Sequence, residues 1–128
     1  MLSHEDALAL FERRRRAWLA EDLDAYLALW TEDMTFQSPM HAEPLRGRSA
    51  FAELVGRSLA TTRPVRFDLE HLAVRDDAVL AEWCIAVERR GSGGRIEWRG
   101  MSVAKMHEGR IAVWREYWNP AALTGGVG

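Results

Sequence analysis

The chain has 128 residues, 48% of them hydrophobic and 28% charged, with a formal net charge of -2. That length suits a single domain, residues 1–128, able to bury a core without disulfides or structural metal, and the composition is that of a globular chain. The slight acidity argues against a nucleic-acid partner, no apolar run is long enough for a transmembrane helix, and the lone Cys84 excludes an internal disulfide or a CxxC metal cluster.

In MLSHEDALALFERRRR the acids precede the apolar residues and the basic residues follow them, the reverse of a secretory signal, so the cytoplasm is the expected location. Leu8, Phe11, Trp18 and Leu19 recur at helical spacing and predict a helix over 4–20. Leu23, Tyr26, Leu27 and Trp30 predict a second helix over 22–30, capped by Asp22, with Asp33 helping to end it. TEDMTFQSP then reads as a turn, a short strand and a proline stop. A third helix is expected after Gly47, with Phe51, Leu54, Val55 and Leu59 as its apolar stripe.

Beyond TTRP the period changes from 3.6 to 2, predicting strands near 65–74, 79–89, 96–107 and 110–118. Their connectors RDD, GSGG and HEG are short hairpin turns, with Gly109 free to take positive φ. Helices first and an antiparallel meander second give an α+β domain: about three N-terminal helices covering one face of a curved sheet.

Strand alternation assigns the faces. Ala81, Trp83, Ile85 and Val87 share one side with Trp98, Gly100 and Ser102, and with Trp114, Glu116 and Trp118 of the closing WREYWNP. Trp18 of the first helix is expected to join them, making an aromatic chamber with few polar groups. Filling the core is the simpler use of any one Trp. Glu116 complicates that use, because a carboxylate among apolar rings is costly unless paired, hydrogen-bonded or neutralised. Arg15, between Phe11 and Trp18 on the first helix, is the expected partner. The other arginines of the run are expected in solvent. His41 falls at the expected chamber mouth, where it could shuttle protons, and the histidines are too scattered for a metal site. The opposite sheet face mixes Cys84, Ala86, Met101, Val103, Val113 and Tyr117 with charges, and a second copy packed against it, a homodimer, is expected to bury it.

WLAEDLDAYLALWTEDMTF, QSP followed by LRGR, and HEGRIAVWREYW together resemble the nuclear transport factor 2-like superfamily, and within it the SnoaL-like and limonene epoxide hydrolase-like proteins. The resemblance implies a cone-shaped α+β fold with a deep pocket between sheet and helices, dimerising through the sheet. Limonene epoxide hydrolases carry an acid in a WRDY motif on the last strand, and Glu116 stands in its place. Their partner Arg and Asp correspond to Trp83 and Ile85 here, and their water-holding Tyr and Asn to Phe36 and Ser38. Against ketosteroid isomerases, the general-base Asp corresponds to Ser38, and the oxyanion-hole Tyr and protonated Asp fall near Arg14 and Ser102.

Three functions remain open at this point. The pocket could bind a small apolar or aromatic molecule, stacked on Trp18, Trp83, Trp98, Trp114 and Trp118, packed on Ile85 and oriented by Glu116, Arg15, Ser38 and Ser102. Glu116 could act on such a ligand as a general acid or base in isomerisation, cyclisation, dehydration or hydrolysis. Alternatively the chain is a protein-interaction module with a filled core. No cofactor and no membrane partner are expected.

Overall fold

The computed structural model describes residues 2–125. Helix α1 runs His4–Leu19, α2 Leu23–Leu27 and α3 Arg48–Thr61; the strands are β1 Trp30–Gln37, β2 Leu45–Arg46, β3 Thr62–Arg75, β4 Ala78–Arg89, β5 Arg95–His107 and β6 Arg110–Tyr117, and a short α4 spans Ala121–Gly125. One six-stranded sheet has the order β2-β1-β6-β5-β4-β3. Its strands pair antiparallel except β1 with β6, which run parallel. The α+β class, the helices on one face and the four-strand meander are as the period change predicts. Among the described residues no helix is long and apolar enough to cross a membrane.

The Ser3 side chain accepts from Asp6 N at 3.0 Å and Asp6 returns the contact to Ser3 N, a capping box that starts α1. The buried residues of α1 are Ala7, Leu10, Phe11, Arg14 and Ala17, three or four apart, and they set the face laid on the sheet. Leu8 is on the outer side of the helix, 42% exposed.

The second helix is shorter than its sequence predicts. Asp22 caps it, accepting from Ala25 N at 3.1 Å, but it stops at Leu27 and Trp30 begins β1 opposite Ile111. Tertiary burial overrides the helical spacing: the Trp30 ring is wholly enclosed, 4.5 Å from Phe51 and 5.7 Å from Trp114 between centroids. Asp33 therefore lies on β1, accepting from the Thr31 hydroxyl at 3.0 Å, and does not end a helix. The two-residue β2 and the terminal α4 carry no periodic signal and were not expected.

The helices fill the concave side of the sheet, and all six Trp lie in or against the core there. Gly100 makes room for the largest of these neighbours. A Cβ on it would stand 2.7 Å from the Trp83 ring and 3.1 Å from the Tyr117 carbonyl oxygen, so a side chain at position 100 displaces Trp83. The convex side is covered differently. Cys84 and Ala86 are buried there under Arg66–Glu97 and Arg99–Glu70 ion pairs, and the Cys84 thiol lies 3.7 Å from Glu97 Oε1.

Candidate active site

Between α1, α3 and the concave face lies a cavity of about 410 Å³. Its wall is mostly apolar, from Trp18, Phe36, Phe51, Val55, Ile85, Val87, Ile96, Trp98, Trp118 and Leu123; its charged groups are Glu116, Arg14 and Arg89, with His41 and Ser38 at one side. This is the size and chemistry of a small-molecule site.

Glu116 is held by its own strand. Trp114 Nε1 donates to Oε1 at 2.8 Å and Trp118 Nε1 donates to Oε2 at 2.7 Å, which uses the shared face of positions 114, 116 and 118. An indole N–H can only donate, and each carboxylate oxygen keeps a further lone pair for another donor. Glu116 forms no ion pair with any described residue. Burial raises its carboxyl above the ordinary carboxylate range; the two indole donors, the Arg14 guanidinium and the His41 imidazole pull it down without cancelling the rise.

The inward cation is Arg14, and the expectation for Arg15 is corrected. Arg15 Nε donates to the Phe67 carbonyl oxygen at 3.1 Å and its Nη1 lies 3.5 Å from Glu12, so it lines the outside of α1. Arg14 is only 6% exposed, with its guanidinium carbon 4.4 Å from the Trp114 ring centroid, 5.2 Å from Phe67 and 5.4 Å from Tyr26. Three aromatic faces thus solvate the charge in place of water. It pairs with no carboxylate among the described residues, and its Nε has no hydrogen-bond partner. Burial raises the Tyr26 phenol above its ordinary value, with Arg14 opposing. Phe11 and Trp18 alone leave the helix phase open between 14 and 15; Ala7, Leu10 and Ala17, small or overlooked residues on the true face, resolve it.

Of the other residues singled out from the sequence, Trp18, Ser38, Ile85, Trp98 and Trp118 line the cavity. Trp83, Ser102 and Trp114 share the concave face but stand behind the wall: Trp83 and Trp114 have no exposed surface, and Trp83 Nε1 donates to Ser102 Oγ at 3.0 Å within the core. Trp114 still reaches the site through Glu116. Alternation gives the face of a residue but not its depth along a curved strand, which is why these three were placed too far forward.

Ser38 Oγ and His41 Nδ1 are 2.9 Å apart, and Met40 N donates to the same Oγ at 3.2 Å. Gln37, the last residue of β1, pairs with Arg115, and Ser38 follows it in the same cavity lining as Glu116. His41 is half-buried, edge-on to Phe36 at 5.7 Å, and forms part of the cavity lining as the sequence places it. Tyr26, Phe36 and Phe51, contributed by α2, β1 and α3, complete an aromatic wall that sheet alternation alone could not reveal.

The chain as a whole matches a known family. The pattern of the SnoaL-like domain covers residues 11–114. The chain belongs to the SnoaL-like domain family. Among solved structures, this SnoaL-like domain superposes on a proposed isomerase from Bacillus subtilis with a TM-score of 0.87 at 22% identity, over 100% of this chain and 96% of that one. An LEH-like epoxide hydrolase from M. tuberculosis matches with a TM-score of 0.80 at 22% identity, covering 95% of this chain and 89% of the other. A proposed polyketide cyclase from Xanthomonas campestris gives 0.80 at 22% identity, over 97% and 98%. At these identities the shared property is the nuclear transport factor 2-like fold, which hosts more than one chemistry.

Proposed function

We propose that this SnoaL-like domain is an acid–base enzyme acting on a small, apolar or ring-bearing carbonyl compound held in the cavity. The single observation that carries the reading is Glu116: a carboxyl pinned by two indole N–H groups, without an ion pair among the described residues, facing an apolar cavity of about 410 Å³. Its raised affinity for protons moves it toward the range in which a group both takes and returns a proton efficiently.

In the step that fits this geometry, the Glu116 carboxylate removes a proton from the carbon next to the carbonyl. The C–H bonding pair becomes the enolate C=C bond and the carbonyl π pair moves to oxygen. Arg14, buried and without a carboxylate partner among the described residues, stabilises that oxygen. Where the substrate carries a β,γ C=C bond the enolate is a dienolate, and return of the proton from Glu116 to the γ-carbon, with the double bond shifting to α,β, completes an isomerisation; attack of the enolate carbon on a second carbonyl, whose π pair moves to its oxygen and takes the proton from Glu116, completes a cyclisation. Structural neighbours described as a proposed isomerase and a proposed polyketide cyclase support the class.

The test is deuterium uptake at the α-carbon of 2-tetralone in D₂O, followed by proton NMR. Wild type is expected to exceed the buffer rate and Glu116→Gln to fall back to it. Equal rates for the two proteins would refute the role of Glu116. Binding without chemistry is the second reading, favoured by the stacked walls of Trp18, Trp98 and Trp118; it predicts saturable quenching of Trp fluorescence by 2-tetralone with no uptake. The open cavity weighs against an interaction module built on a filled core.

The proposal extends to assembly. Leu80, Met101 and Tyr117 are exposed on the convex face, Met101 directly across from Tyr117, and a second copy of the chain is the partner that would cover them. Sedimentation giving only monomer at micromolar concentration would exclude it.

A further inference from the structure

The cavity has a second polar end that the proton-transfer step does not use. Arg89 is the last residue of β4 and Thr62 the first of β3, and the two are direct cross-strand partners. Both line the cavity, with Ser58 from the last turn of α3 beside them. Ala81, Ser102 and Glu116 form one row across the sheet, and Arg89 stands eight residues further along β4 than Ala81. The two polar ends are therefore well apart, with Ile85 and Val87 between them on β4 and Ile96 across from Val87.

Arg89 is held in place and left without a charge partner. Its backbone N–H donates to Gly94 O at 2.8 Å and its carbonyl accepts from Gly93 N at 2.7 Å, fixing the β4–β5 hairpin. The acids around it are committed elsewhere: Glu88 to Arg63, Glu21 to Arg90 and Glu97 to Arg66 and Arg95. Arg89 itself makes no ion pair among the described residues, although it is half-buried against the cavity. The Thr62 hydroxyl donates to the Ser58 carbonyl at 2.7 Å, which ties the end of α3 to this corner. Of all the lining residues only Glu116 is acidic, and it lies at the other end.

We infer that Arg89, with the Ser58 hydroxyl beside it, forms a subsite for a carboxylate-like anionic group, so that the ligand is an elongated molecule with an apolar body and an acidic tail. A guanidinium with an unclaimed fork of donors, partly desolvated and beside a serine hydroxyl, is the arrangement that recognises a carboxylate. The inference rests on the reading of the cavity as a ligand site, but it does not require Glu116 to be catalytic.

The experiment compares 6-phenylhexanoate with its methyl ester by isothermal titration calorimetry, on wild type, Arg89→Gln, Arg89→Lys and Arg14→Met. Wild type is expected to prefer the acid by about tenfold, on the scale of one charge-assisted hydrogen-bonded contact. Arg89→Gln should abolish the preference by bringing the affinity for the acid down to that for the ester, and Arg89→Lys should retain part of it. Equal affinity of acid and ester for wild type would overturn the subsite and leave the cavity reading standing. A preference that survives Arg89→Gln but is lost in Arg14→Met would place the anion at the inner end and overturn it too. If neither compound binds wild type at millimolar concentration, the cavity reading fails together with the subsite.

Discussion

The two faces of one sheet treat charge in opposite ways. On the convex face Arg66, Glu97, Arg99, Glu70, His71 and Glu82 are matched in pairs, and their stems and heads cover buried Cys84 and Ala86. On the concave face Glu116 and Arg14 share a cavity, yet neither is ion-paired among the described residues, and each is supported instead by aromatic rings or indole donors. Surface pairs of the first kind contribute little to stability. Charges of the second kind lose hydration that no counter-charge restores, so the fold alone gives no reason to retain them. The contrast supports the proposed site on the concave side.

The largest effect is expected where the concave wall is purely structural. Trp83→Ala should destabilise the domain by about 3–5 kcal/mol in urea denaturation, because it empties a fully enclosed site and strands Ser102. Arg14→Met breaks the contrast itself. Replacing a buried charge by an apolar chain of similar length should leave stability unchanged or raise it, on the scale of about 1–4 kcal/mol. The same change should slow deuterium uptake by about 10²–10³-fold. A large loss of stability in Arg14→Met would make Arg14 a structural group and remove it from the step.

Glu116→Gln sharpens the comparison through pH. The folded-state pKa of Glu116 is raised, so in the window between the ordinary Glu value of about 4.3 and that raised value the folded state binds more protons than the unfolded one. Wild-type stability should therefore fall with rising pH across the window, relative to Glu116→Gln, and the difference should level off above it. Chemical denaturation of both proteins at a series of pH values measures this, and a difference that grows in the opposite sense would mean a depressed pKa. Arg99→Gln should have the smallest effect of all, a melting midpoint close to wild type, since its bond to Glu70 is solvent-exposed.

What could be read from sequence follows the same division. A strand's period of two is strict, so Trp114, Glu116 and Trp118 could be assigned to one inward face from the residues alone. A helix's period of 3.6 admits neighbouring phases, and in a run of four arginines nothing apolar marks the difference between 14 and 15. Depth was not legible, because whether an inward residue meets the cavity or lies behind its wall depends on curvature and on the helices above. That is the case for Trp83, Ser102 and Trp114 on one hand and Trp98 and Trp118 on the other. Trp30 was misplaced for a related reason: its strand is stabilised by Phe51 and Trp114, both remote in sequence.

The most direct test of the account is the carboxyl pKa of Glu116 itself, followed by carbon-detected NMR of glutamate-labelled wild type, with Glu116→Gln identifying the resonance. A carboxyl that titrates clearly above the ordinary Glu value of about 4.3 is the expected result. A value at or below it would show Glu116 to be a fixed charge neutralised by Arg14, and would contradict its role as the proton-transfer group.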